Sequence, residues 1–170
     1  SFGDYLDSID GKPFDIDVVT QVPHAALRVY VMDDRAVAQA DATPEEQAEM
    51  AALAAEAIEA GALGFSTSRT VLHRTAEGEV VPGTYAGSAE MLGIASGIAK
   101  AGHGILQMAS DMEDEVYELG WMGQLSKQYG VPVSMNVFQR DSDPEKYRRV
   151  LHGMQQVNAE GAQVSVSYTH

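Results

Sequence analysis

The chain has 170 residues, 45% of them hydrophobic and 21% charged, enough material for about one globular domain with its own core. Eleven lysines and arginines against 25 aspartates and glutamates leave a net charge of -14, which repels nucleic-acid phosphates and anionic membranes. With no cysteine there is no disulfide framework or thiolate chemistry, which fits a reducing, cytoplasmic setting, and no apolar run approaches the roughly 18 residues of a membrane span.

Phe2, Tyr5, Leu6 and Ile9 recur at helical spacing, and Asp10-Gly11-Lys12-Pro13 ends that short helix. Ile16 to Val22 is rich in β-branched residues and predicts a strand, followed after Pro23-His24 by a less regular apolar segment, Ala25 to Met32. Asp33 to Asp41 reads as polar loop. Thr43-Pro44-Glu45-Glu46 then supplies an N-cap hydroxyl, a proline at the first helical position and a capping-box glutamate, so a helix starts at about Pro44. Met50, Leu53, Ala54, Ala57 and Ile58 form its apolar face, and Gly61 can close its last turn in the left-handed conformation. The Leu63-Gly64-Phe65 run reads as a buried strand. Ser66, Thr67, Ser68 and Arg69 follow where a parallel strand would end, and ligands bind at such ends. The loop from His73 to Tyr85 is long enough to suggest function.

One pattern then recurs three times. Ser88 is expected to cap a helix that Gly102 stops, ahead of a strand from Gly104 to Ser110. Asp111 is expected to cap the next, with Val116, Leu119, Met122 and Leu125 as its stripe, Gly130 as its stop and Val131 to Val137 as its strand. Asp143-Pro144 opens the last helix, Gly161 ends it, and Gln163 to Thr169 is the final strand. Such βα repeats predict parallel α/β architecture. No G-x-G-x-x-G or G-x-x-x-x-G-K-[ST] motif marks a nucleotide site. Small polar residues at alternate strand positions, Ser134 and Asn136, then Ser165, Ser167 and Thr169, favour a barrel interior facing a site. We read residues 1–170 as a single α/β segment of a barrel domain; a whole barrel takes about 250 residues.

Arg69, beside Ser66 and Ser68, could bind a carboxylate bidentately; otherwise it pairs with Glu77 or Glu79 of the following loop. His24, after a strand, and His73, in the long loop, could bind substrate or serve ordinary hydrogen-bonding duty. Arg28 is expected to pair with Asp33 or Asp34. His24, His73, His103, His152 and His170 do not show metal-ligand spacing.

His24-Ala-Ala-Leu-Arg28 with Val31-Met32, the stretch Gly61-Ala-Leu-Gly-Phe-Ser-Thr-Ser-Arg-Thr70, Val81-Pro-Gly-Thr84 and Gly104-Ile-Leu-Gln-Met-Ala-Ser-Asp111 resemble the central part of the D-aminoacylase (N-acyl-D-amino-acid deacylase) group of the amidohydrolase superfamily. The resemblance covers nearly the whole chain. It implies a partial (β/α)8 TIM barrel, about strands three to seven of a zinc-dependent hydrolase acting on the amide bond of N-acyl-D-amino acids. Arg69, Ser66, Ser68, His73 and His24 are then the substrate-binding candidates, with a small N-acyl amino acid as partner. The group's metal ligands and catalytic aspartate on its first, second and eighth strands lie outside what this chain shows. Its two other histidine ligands end the fifth and sixth strands, where Gln107-Met108 and Val137-Phe138 stand here. No catalytic residue is therefore assigned, no zinc is expected in this chain, and the chain alone is expected to be inactive. Unpaired edge strands, and inward faces expected to include Phe65, Leu106, Val133 and Val166, predict a homo-oligomer. The competing reading is a noncatalytic or degenerate α/β barrel module that binds a small anion through Arg69 and the serines.

Overall fold

The computed structural model describes residues 1–167. Thr43 Oγ1 accepts a hydrogen bond from the Glu46 amide while the Glu46 carboxylate accepts one from the Thr43 amide. With Pro44 as its first residue, helix α4 accordingly runs Pro44–Glu59. Gly102 and Gly130, at φ 81° and 68°, end α5 (Ser88–Ala101) and α6 (Glu115–Tyr129) in the left-handed conformation. The remaining helices are α1 (Phe2–Asp10), α2 (His24–Met32), α3 (Asp34–Val37) and α7 (Lys146–Ala159). Among the described residues no helix is long and apolar enough to cross a membrane.

Five strands, β1 (Gln21–Pro23), β2 (Gly64–Arg69), β3 (Ile105–Ser110), β4 (Val133–Asn136) and β5 (Val164–Ser167), form one sheet in chain order, every neighbouring pair parallel. This is α/β architecture with the arrangement of a barrel segment. Register makes the sheet two-faced. Phe65, Leu106, Val133 and Val164 lie side by side in one row, and Ser66, Gln107, Ser134 and Ser165 in the next. The first row is buried together with Met50, Ile58, Met91, Ile98, Met122 and Leu125 of the helices. Burying each large apolar side chain contributes about 1.5–3 kcal/mol. Helices α4 and α5 meet backbone to backbone, because a Cβ at Gly97 would lie 2.0 Å from the Ala51 carbonyl oxygen.

Several expectations are corrected by this arrangement. Phe65, Leu106 and Val133 do not line an uncovered inward face; they point to the helices and are 0% exposed. Ala25 to Met32 lies in a regular helix, and only the end of the Ile16 to Val22 run joins the sheet. Ile16 and Val19 are 76% and 70% exposed, because β-branched residues make a strand only where a partner strand, here Gly64–Ser66, offers hydrogen bonds. Strand β2 continues past Phe65 through Arg69. Ser88 is the first helical residue after an N-cap at Gly87, and Asp114, not Asp111, caps α6. Thr169 lies outside the described residues.

Candidate functional site

Alternation along β2 sends Ser66 and Ser68 to the concave face and Thr67 and Arg69 to the helix side. The two serines join Gln107, Asn136, Ser167 and His73 around a pocket of about 330 Å³ at the C-terminal ends of the strands, with His24 at its side. Ligand sites of parallel α/β sheets occur there. Of the five candidates, the structure brings Ser66, Ser68, His73 and His24 together and leaves Arg69 apart.

His73 reaches the pocket through a tight turn after β2, with its Nδ1 2.7 Å from Ser68 Oγ. Asp111 holds that turn. Its Oδ1 accepts from Thr70 Oγ1 at 2.7 Å, its Oδ2 accepts from the Val71 amide at 2.9 Å, and Arg140 pairs with it from the loop after β4. Burial pushes the Asp111 carboxyl up, but the Val71 amide, the Thr70 hydroxyl and Arg140 outweigh it and hold it below the usual carboxylate range. Asp111 therefore joins three strand-end loops, a larger role than the helix cap expected of it.

His24 is 2% exposed and both ring nitrogens are engaged, Nδ1 with Thr67 Oγ1 at 2.8 Å and Nε2 with Glu90 Oε1 at 2.6 Å. Burial lowers its pKa, so at neutral pH the ring is uncharged; assigned from these partners, Nε2–H donates to Glu90 and Nδ1 accepts from Thr67. Glu90 also receives Arg28 NH1 on both oxygens, at 2.7 and 2.5 Å. Its burial raises its pKa, and the hydrogen bond from His24 with the charge and hydrogen bonds of Arg28 reverse that to a net lowering. Gly83, at φ 95°, closes over the ring, and a Cβ there would lie 2.8 Å from His24 Nδ1. Arg28 is thus paired with Glu90 rather than Asp33 or Asp34.

Arg69 also departs from expectation. Its Nε donates to both Glu118 oxygens at 3.0 and 2.9 Å, its NH2 donates to Oε1 at 2.8 Å, its NH1 donates to the Ala86 carbonyl, and its guanidinium lies 5.7 Å from the Trp121 ring centre. This cation faces the helices and is satisfied by α6, neither lining the pocket nor pairing with Glu77 or Glu79. An anion site built on Arg69 and the serines is not what the fold assembles.

The pocket's donor set does not fit the zinc that the resemblance implies. A catalytic zinc takes three protein ligands of N, S or carboxylate type. Here His24 is spent on Thr67 and Glu90, His73 is bonded to Ser68, and the other polar side chains around it are neutral hydroxyls and amides. Among the described residues no group of three or more His, Asp or Glu is placed to hold a metal ion. His103 sits exposed in the turn before β3, His152 lies on the outer α6–α7 groove, and His170 is outside the described residues.

Residues not singled out from the sequence as binding groups include Gln107, Asn136 and Ser167 in the pocket, and Thr67, Glu90 and Glu118 behind it. The alternation Ser134-x-Asn136 and Ser165-x-Ser167 was the available signal for Asn136 and Ser167, and the strand end after Phe65 the signal for Thr67; nothing local marks Glu90 or Glu118.

No protein-family model matches the chain. Over 67 residues, 39% of the chain, it is 45% identical to an N-acyl-D-aspartate deacylase of Alcaligenes xylosoxydans xylosoxydans. Over 66 residues it is 44% identical to a D-aminoacylase of the same organism, and each alignment covers 13% of the relative. A crystal structure of D-aminoacylase, described as defining a novel subset of amidohydrolases, superimposes with a TM-score of 0.75 at 24% identity, over 98% of this chain and 33% of its own. The chain thus has the fold of a segment spanning about a third of the solved D-aminoacylase, and over part of its length it is related in sequence to the D-aminoacylase group.

Proposed function

We propose that this chain builds one wall of the substrate pocket of an amidohydrolase that cleaves the amide bond of N-acyl-D-amino acids. The observation that carries the reading is the row of neutral polar side chains, Ser66, Ser68, Gln107, Asn136 and Ser167 with His73, gathered at the strand ends of a barrel segment. Such groups suit an uncharged amide, which needs donors and acceptors rather than a counter-ion. In the reaction the oxygen of water adds to the acyl carbon, the C–N bond breaks, and the amine leaves with a proton. Ser66, Ser68 and His73 contact the substrate, while His24, buried beneath, positions the strand end through Thr67. The groups that activate water, and the zinc implied by the resemblance, belong to parts of a complete barrel outside this chain, so the chain alone hydrolyses nothing. For the chain taken alone, copies associate through the edges of β1 and β5, which carry no further strand among the described residues.

The test is hydrolysis of N-acyl-D-amino acids, followed by amine release, for the complete protein and its Ser68→Ala and His73→Ala variants. Losing one neutral hydrogen bond is worth about 0.5–1.5 kcal/mol, so kcat/KM falls about 2- to 12-fold. Unchanged kinetics in both variants would remove these residues from the substrate site.

A further inference from the structure

We infer that the pocket takes the neutral amide of its ligand, with the acyl oxygen received by the Asn136 carboxamide, and excludes a carboxylate; this rests on the substrate-pocket reading above. The first ground is charge. The chain has 11 basic and 25 acidic residues, yet none of them lines the pocket. The neighbouring guanidiniums are committed elsewhere, Arg28 to Glu90, Arg69 to Glu118 and Arg140 to Asp111. A carboxylate brought here gives up hydration and meets no arginine or lysine, whereas an amide needs only hydrogen bonds.

The second ground is geometry. The Ser110 amide donates to Asn136 Oδ1 at 3.3 Å, which assigns the oxygen to that side and leaves the Nδ2 hydrogens as donors for the pocket. Across the concave face stands Ser68, whose Oγ bonds His73 and keeps a lone pair free to accept. Ser68 is paired with Ala109 on β3, and the ladder continued by one residue sets Ala109 beside Asn136. Two strand spacings of about 4.8 Å therefore separate Ser68 from Asn136, with only a methyl group between them. A trans secondary amide carries its C=O and N–H on opposite edges. Laid over Ala109, it points its oxygen at Asn136 Nδ2 and its N–H at Ser68 Oγ.

The experiment compares two probes of matched size, N-butylacetamide and hexanoate, titrated at pH 8 into the isotope-labelled chain while the side-chain NH2 of Asn136 and the amides of Ser68 and His73 are followed by NMR. The amide is expected to shift these signals at about tenfold lower concentration than hexanoate. Asn136→Asp keeps an acceptor for Ser110 but removes the donors, so it should weaken the amide about tenfold while spectral dispersion shows that the fold persists. Ser68→Ala, which leaves the Ser110 contact untouched, should weaken it as well. Hexanoate binding as tightly as the amide would overturn the inference and leave the pocket a binding site, as would an amide response unaltered in both variants. If neither probe moved the pocket signals, the substrate-pocket reading itself would fall, and this inference with it.

Discussion

The two faces of the sheet are made by alternate residues of the same strands, yet their chemistry has nothing in common. On the helix side Phe65, Leu106, Val133 and Met135 are 0% exposed, and the charges that reach this side are locked into the His24–Glu90–Arg28 and Arg69–Glu118 clusters. On the concave side no Asp, Glu, Lys or Arg lines the pocket, and Ser165 and Ser167 hold only the backbone carbonyls of Val133 and Met135, at 3.2 and 3.3 Å. The difference shows how a strand with a period of two can assign stability to one set of residues and ligand contact to the other.

The harshest test of this division is Glu90→Ala, which leaves a buried guanidinium without its counter-ion. Breaking such a pair costs about 3–5 kcal/mol, and urea unfolding of the chain at pH 7 should show it. A loss below about 1 kcal/mol would mean that the cluster is solvated and the helix side less dry than described. Next comes a matched pair from adjacent positions of the two rows. Leu106→Ala should cost about 2–5 kcal/mol, while Gln107→Ala should stay within about 0.5 kcal/mol. Equal losses would erase the distinction between the faces.

A subtler test concerns the loop clamp. The Asp111 carboxyl is held below its ordinary value of 3.8, so its stabilisation is fully present above that pH and is lost as pH falls through the lower value it has in the folded chain. Wild type should therefore exceed Asp111→Asn in stability near neutrality, and the gap should close in acid; a gap that widened in acid would reverse the assigned sign. The mildest expectation is association. Because the concave face is polar, the edges of β1 and β5, which carry no further strand among the described residues, are left to drive it together with exposed apolar side chains such as Tyr30, Leu72 and Val116. Light scattering at micromolar concentration should detect species above the 18.2 kDa chain mass, and a strictly monomeric chain would show that those edges are blocked.

Local chemistry alone determined much of this protein. The Thr43–Glu46 capping box, the left-handed glycines Gly102 and Gly130, and the polar alternation in β4 and β5 each act within a few residues, so the βα repeat and the parallel sheet were readable directly, whereas the expectation that Phe65, Leu106 and Val133 faced inward put the helix-side row on the wrong face. Tertiary structure decided the rest. Arg28 finds Glu90 62 residues away and Arg69 finds Glu118 49 residues away, although nearer carboxylates exist for both. Which way Arg69 points, and hence that the pocket is neutral, depends on the phase of β2 against β3 and on which helix lies over it. Ion pairs form through space, where burial strengthens them, and spacing along the chain does not register that proximity.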